Sequence, residues 1–289
     1  MLLTCTVSSF ASLLEPRGRA GPKLGLSDVP AYIKNELGLH GMSLSTDLLS
    51  GASRKVLENL RDRADKAGCA CLLLVEPAPQ AMADGARSEA AIDRTGRVVQ
   101  AAHVLGCNSA AISIEAADTE EAFDDTVDAM RRVMEKAEQL DINLLINPRD
   151  GLTSEPDRVT DLIKKIGGFR VGTLPDFDAA AASGDPEQYL RRLTPYASAV
   201  LATLHEFAEA EPSEPDPDAP GSLEDLAEML MSTEAPVHTT FDIVPMLRAV
   251  SSVGFEGTLS IDYRGEGDGT LGVLHGRDAL EAGLEALAE

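Results

Sequence analysis

The stretch 241-FDIVPMLRAVSSVGFEGTLSIDY-263 holds one helix-to-strand unit, and its reading decides the fold. Phe241 to Val253 carries a helical pattern of apolar residues, and Gly254 follows it where a left-handed stop is wanted. Gly254 and Gly257 bracket Phe255-Glu256 as a tight turn, and Gly257 to Tyr263 then alternates. Leu259, Ile261 and Tyr263 take one face, Thr258, Ser260 and Asp262 the other. A helix that packs on its own strand demands apolar cover, so the polar face must look the other way, into an enclosed interior.

Working outward, the same unit recurs. Strand-like runs lie at Leu2 to Phe10, Gly41 to Ser45, Cys69 to Glu76, Ser109 to Glu115, Ile142 to Asn147, Phe169 to Asp176, Ala199 to His205 and Gly257 to Tyr263, which makes eight. Helical patterns separate them: Ser27 to Leu37, Ser53 to Ala67, Arg87 to Leu105, Glu120 to Leu140, Glu155 to Ile166, Pro186 to Leu193, Phe241 to Val253, with Gly276 to Ala288 at the end. Strands that alternate with helices pair in parallel, and eight repeats in 289 residues predict an α/β fold, a single (β/α)8 TIM barrel over 1–289. Thr153-Ser154-Glu155-Pro156 reads as a hydroxyl cap before a first-turn proline. The acidic, proline-rich segment 208-AEAEPSEPDPDAPGS-222 reads as an exposed loop.

Composition excludes some functions. Hydrophobic residues at 44% and charged residues at 25% are ordinary, whereas a net charge of −23 is not. Twenty-five basic residues face 48 acidic ones with no basic run of three, which argues against nucleic acid as a partner. No apolar segment approaches the ~20 residues of a membrane helix, and MLLTCTVSSF lacks the positive region of a secretory signal. Cys5, Cys69, Cys71 and Cys107 lie in or beside apolar runs, as buried thiols of a cytoplasmic protein would.

Side-chain alternation also assigns Thr4, Thr6 and Ser8, Ser43 and Ser45, and Ser113 and Glu115 to the interior. Buried hydroxyls and carboxylates need partners or a ligand, which predicts a wet pocket at the C-terminal mouth, where (β/α)8 proteins carry function. The strand-end candidates are Glu76, Glu115, Asn147, Asp176, His205 and Asp262. Carboxylates with an imidazole suit Mg2+, Mn2+ or Zn2+, and such an ion beside a carboxylate suits proton transfer next to a carbonyl. The glycine-rich stretch 263-YRGEGDGTLGVLHG-276 reads as a loop after the last strand, where backbone N–H groups could cradle phosphate against the opposition of Glu266 and Asp268.

Three segments carry a family likeness: 144-LLINPRDGLTSEPDRVTDLIKKIG-167, 170-RVGTLPDFDA-179 and 241-FDIVPMLRAVSSVGFEGTLSIDYRGEGD-268. With the eightfold layout, they make the chain resemble the xylose isomerase-like TIM-barrel superfamily of sugar phosphate isomerases and epimerases, with endonuclease IV-type enzymes more distant. The resemblance implies a divalent metal held by Glu, Asp, His and Glu at the ends of strands 5 to 8. Asp176 matches the strand 6 ligand, Asp262 stands at the strand 8 position one methylene short, and His205 is the candidate for strand 7. Where the family shows Glu-Asn, this chain has Ile146-Asn147, and Leu201 falls at the strand 7 ligand position.

Two functions follow. One is a sugar or sugar phosphate isomerase/epimerase-like enzyme with a degenerate metal site, in which Asp176, Asp262 and His205 hold the metal and Glu115 and Asp262 handle protons on a carbohydrate-like substrate. The other is a non-catalytic barrel that binds a ligand or partner.

Overall fold

The structure, a computed structural model, describes residues 1–15, 22–208 and 235–288. In chain order the principal elements are β1 (Leu2–Thr6), α1 (Val29–Glu36), β2 (Gly41–Ser45), α2 (Arg54–Ala67), β3 (Ala70–Gln80), α3 (Ser88–Leu105) and β4 (Ser109–Ile114). There follow α4 (Glu120–Gln139), β5 (Asn143–Ile146), α5 (Pro156–Ile166), β6 (Val171–Thr173), α6 (Phe177–Ala182), α7 (Pro186–Leu193) and β7 (Ala199–Leu204). The short pair β8 (Phe207–Ala208) and β9 (Val237–His238) precedes α8 (Val244–Ser252), β10 (Thr258–Tyr263) and α9 (Gly269–Ala286).

Eight strands form one parallel sheet in the order β6-β5-β4-β3-β2-β1-β10-β7, the (β/α)8 barrel expected from the repeat. Its two ends meet through isolated parallel bridges, Thr173 to Ala197 and Asp176 to Leu201, with the Leu201 N–H donating to the Pro175 carbonyl at 2.8 Å. The antiparallel pair β8 and β9 stands apart from this ring. The acidic segment 208–222 falls, beyond Ala208, outside the described residues.

The alternation holds. Leu259, Ile261 and Tyr263 are buried against the helices, in the same apolar layer as Cys5, Val7, Met42, Leu44, Ile112 and Ile114. Full burial of a Leu or Ile side chain contributes roughly 1.5–3 kcal/mol, so this outer layer carries most of the fold's stabilisation. The barrel interior is divided. Leu73, Ala111, Leu145, Leu174, Ala199 and Leu201 fill one side with a dry cluster. Thr4, Thr6, Ser43, Ser45, Ser260 and Asp262 on β1, β2 and β10 make the other side polar. The hydroxyl-rich interior read from the sequence is therefore concentrated on three adjacent strands, with Ser109 and Thr203 adding buried hydroxyls on β4 and β7.

Several boundaries differ from expectation. The first strand stops at Thr6, and Val7–Leu13 turns into 3-10 helix, which brings Ser9 back over the barrel. Glu155 rather than a hydroxyl precedes α5, and the Thr153 hydroxyl instead donates to the Arg149 carbonyl at 3.2 Å. The last helix begins at Gly269, seven residues before Gly276, because the Asp268 carboxylate accepts from the Thr270 and Leu271 N–H groups at 2.9 and 3.1 Å. The glycines of that stretch serve close packing rather than a phosphate loop. A Cβ on Gly269 would stand 1.9 Å from the Ser9 carbonyl oxygen, and one on Gly272 would meet the Tyr263 ring at 2.3 Å.

All four cysteines are buried and free. Among the described residues no helix is long and apolar enough to cross a membrane.

Candidate active site at the barrel mouth

A cavity of about 270 Å³ opens at the C-terminal mouth, walled by Thr6, Ser8, Ser43, Ser45, Ser113 and Asn147, with Asp262 and Arg264 on one side. The polar wall follows from strand parity, since Thr6, Ser43 and Asp262 occupy the inward positions of β1, β2 and β10. Ser43 and Ser260 hydroxyls lie 3.0 Å apart across the β2 and β10 faces. These groups are held by one another, and their remaining capacity faces the cavity.

Asp262 is a closely held carboxylate of the mouth. It is 5% exposed. Its Oδ1 accepts from the Thr6 hydroxyl at 2.5 Å, and its Oδ2 accepts from Arg264 Nε at 2.8 Å and Nη2 at 2.7 Å. A hydroxyl relay stands behind Thr6. The Tyr263 N–H donates to Ser9 Oγ at 2.9 Å, and Ser9 Oγ lies 2.9 Å from Thr6 Oγ1. Because that N–H can only donate and the carboxylate can only accept, every hydroxyl in the chain points its proton toward Asp262. A charge-assisted bond of this kind is about twice as strong as a neutral one, so Thr6 and Arg264 hold the Asp262 side chain in place.

Asp176 has a different employment. It stands as the N-cap of α6, its Oδ1 accepting the Asp178 N–H at 3.0 Å. Burial pushes its pKa up to about 6, against the opposing pull of the Thr203 hydroxyl, the Asp178 N–H and the Arg264 charge. The Thr203 Oγ1 is itself buried without reaching hydrogen-bond geometry to any partner. Asp178, read from the sequence as a loop or capping residue, pairs with His205 Nε2 at 3.1 Å.

His205 is thus turned to Asp178, and its own N–H donates to His238 Nε2 at 3.0 Å. His238 Nδ1 lies 2.9 Å from the Phe241 carbonyl, which makes Nδ1 the protonated nitrogen of a neutral ring. Burial first, and then the neighbouring His205, lowers the His238 pKa in keeping with that state.

Of the remaining candidates, Glu76 and Asn147 line the mouth and Glu115 does not. Glu115 is exposed, 3.5 Å from Arg87 Nη2, and is not part of the mouth wall. Glu76 is buried, and its carboxylate receives Arg94 Nε at 2.6 Å, the Thr46 hydroxyl at 3.0 Å and the Ala78 N–H at 3.1 Å. Asn147 reaches the mouth, while Ile146 points to the helix-facing core.

Arg264 is the charged mouth residue that the sequence reading passed over. Its signal was present, because Arg264 shares the parity of Asp262 and so continues the inward face one step beyond the strand. Its guanidinium occupies the space beside Asp262 with a fixed positive charge.

The donor set does not fit a resident divalent ion. Among the described residues no three His, Cys, Asp or Glu side chains gather as a metal-holding group. Asp262 is committed to a guanidinium and a hydroxyl, Asp176 to a helix N-terminus, and His205 to Asp178. A hard cation needs several oxygen ligands free to replace its hydration shell, and these are already engaged.

Known structures share the architecture. An L-ribulose 3-epimerase matches with a TM-score of 0.75 at 13% identity, covering 99% of this chain and 95% of its own. A D-psicose 3-epimerase from Clostridium cellulolyticum H10, solved with D-tagatose, matches with a TM-score of 0.68 at 13% identity over 99% of this chain and 97% of its own. The IOLI protein with a bound zinc atom matches with a TM-score of 0.67 at 12% identity over 98% and 96%. At such identities the likeness establishes the fold alone. No curated protein sequence matches the chain. The model of the xylose isomerase-like TIM barrel family matches residues 34–289, and the chain belongs to that family.

Proposed function

We propose that the barrel mouth binds a small polyhydroxylated molecule of sugar size, and that it does so without a metal ion. The carrying observation is the mouth itself, a cavity of about 270 Å³ whose wall combines five Ser and Thr hydroxyls and an Asn amide with the Asp262–Arg264 pair. Hydroxyl-rich ligands are recognised by fixed donors and acceptors at close spacing, and a carboxylate beside a guanidinium offers both. The Arg264 charge takes the place that Mg2+, Mn2+ or Zn2+ holds in the metal-dependent reading. Four buried thiols in a single barrel domain suit a reducing, cytoplasmic setting.

A second reading, a sugar isomerase/epimerase-like enzyme, draws support from Asp176. A buried carboxyl with a pKa of about 6 is suited to giving and taking a proton near neutrality. In that reading Asp262 orients the substrate, and Glu115 would need a loop movement to take part.

Titration calorimetry with ketohexoses, aldopentoses and their phosphates separates these readings. We expect binding that is unchanged by EDTA and weakened at least tenfold in Arg264→Met, which removes a charge-assisted donor pair. Binding that requires added Mn2+ or Zn2+ would overturn the metal-free reading. Appearance of a new epimer in the NMR spectrum of the bound sugar would make the protein an enzyme.

A further inference from the structure

Among the described residues Phe169 is the most exposed large apolar side chain, its ring standing wholly in water. The turn that carries it departs from its neighbours. After α1, α2 and α3 a single glycine of positive φ ends the helix, and the residue that follows, Leu39, Cys69 or Cys107, is buried in the core. The turn from α5 to β6 holds two such glycines, Gly167 and Gly168, with φ of 77° and 89°. Phe169 therefore comes one residue later than the buried position, and its ring points away from the core instead of into it.

Beside that ring a groove of about 570 Å³ runs past the starting ends of β5, β6 and β7, on the barrel face opposite the mouth. Leu145, Ile163, Val171 and Tyr196 give it apolar walls, and Lys164 and Arg170 line it with no carboxylate among the wall residues. The anions stand just outside. Lys164 Nζ lies 3.2 Å from Asp161 Oδ1, and Arg170 pairs with Asp141. The patch is thus neutral in sum, on a chain whose net charge is −23.

An exposed benzyl group next to an apolar groove is complementary to a copy of itself, since a twofold contact sets each ring in the groove of the other chain. Charge selects the same occupant. Two copies of so acidic a chain repel wherever their acidic surfaces meet, whereas a neutral patch that carries both signs lets each cation face an anion across the axis. We propose that this face is a twofold interface at which a second copy of the chain docks, with Phe169 as the anchor and the two barrel mouths left open. The proposal is independent of what the mouth binds.

Sedimentation velocity of the full chain over a range of concentrations tests it, with circular dichroism as the control for folding. The wild type sediments as two chains at micromolar concentration. Its dimer Kd rises about tenfold or more in Phe169→Ser, and by a smaller factor in Phe169→Leu, which keeps apolar surface. Lys164→Glu, at a half-exposed helix position, weakens the dimer severalfold by setting like charges across the axis. Because the ring is wholly exposed, Phe169→Ser leaves the circular dichroism spectrum unchanged. A wild type that stays a single chain at every concentration would leave the groove to some other partner and overturns the proposal. A dimer that Phe169→Ser leaves equally tight overturns it too, since the copies then meet by another face.

Discussion

Arg94→Met is expected to lower folding stability by about 3 kcal/mol, the range found when one partner of a buried ion pair is removed. The asymmetry of the pair makes the loss large. The Glu76 side chain is 3% exposed, whereas that of Arg94 is 42% exposed. Without the guanidinium the carboxylate stays in the protein with only the Thr46 hydroxyl and the Ala78 N–H to hold it. Those two neutral donors do not offset the desolvation of a charge. Combining Arg94→Met with Glu76→Gln should recover most of the loss, because the amide carries no charge, its oxygen can accept the Ala78 N–H, and its NH2 can donate to the Thr46 hydroxyl, which turns to accept. Urea denaturation followed by circular dichroism reads both variants, the chain having no tryptophan to report by fluorescence. A single variant as stable as the wild type would show that water already serves Glu76.

Asp176→Asn is expected to act in the opposite direction, as a stabilising change at neutral pH. The folded-state pKa of about 6 lies above the ordinary aspartate value of ~3.9, so the native protein holds this proton more tightly than the unfolded chain. Stability contributed by this group is therefore greatest at low pH and falls as pH climbs between those two values. A difference of about two pH units corresponds to about 3 kcal/mol. Asparagine keeps an oxygen for the Asp178 N–H, since Asn and Asp cap helices about equally well, and does not ionise. The variant should exceed the wild type by about 3 kcal/mol at pH 7.5, and by about 1 kcal/mol near pH 4.5. Taking the difference between the two proteins cancels the other carboxylates, which acid destabilises in both. A variant less stable than the wild type at pH 7.5 would mean that the Arg264 charge outweighs burial at this carboxyl.

The eightfold layout was legible because two periods, 3.6 and 2, alternate cleanly, and Leu259-x-Ile261-x-Tyr263 against Ser260-x-Asp262 already said which face looks inward. The family likeness and the match of the family model agree. Chain ends of elements were less legible. The start of α9 rests on one local choice, Asp268 accepting two N–H groups, and glycine-rich sequence hides such a cap. The site was legible in part. Asp262 was placed by parity, and Arg264 would have been by the same rule extended two residues. Asp176, by contrast, offered one residue type for two roles, cap and ligand. Only the partner of its oxygen separates them, and that partner is a backbone group which sequence does not display. Glu115 illustrates the remaining difficulty: parity holds only while the strand lasts, and β4 ends at Ile114.

The joint between β6 and β7 has a dynamic consequence. Every other neighbouring pair in the ring is tied by a ladder, whereas here a three-residue strand meets its partner through two isolated bridges. Sheets open where pairing is thinnest, so the amide protons of Thr173, Leu174, Asp176 and Leu201 should exchange with deuterium sooner than those of β10 or β3. The hoop has a clasp, and Asp176 is riveted to it. Each excursion that loosens the clasp lets water reach a carboxyl that otherwise resists ionising, so proton release at this one residue is coupled to the opening of the joint.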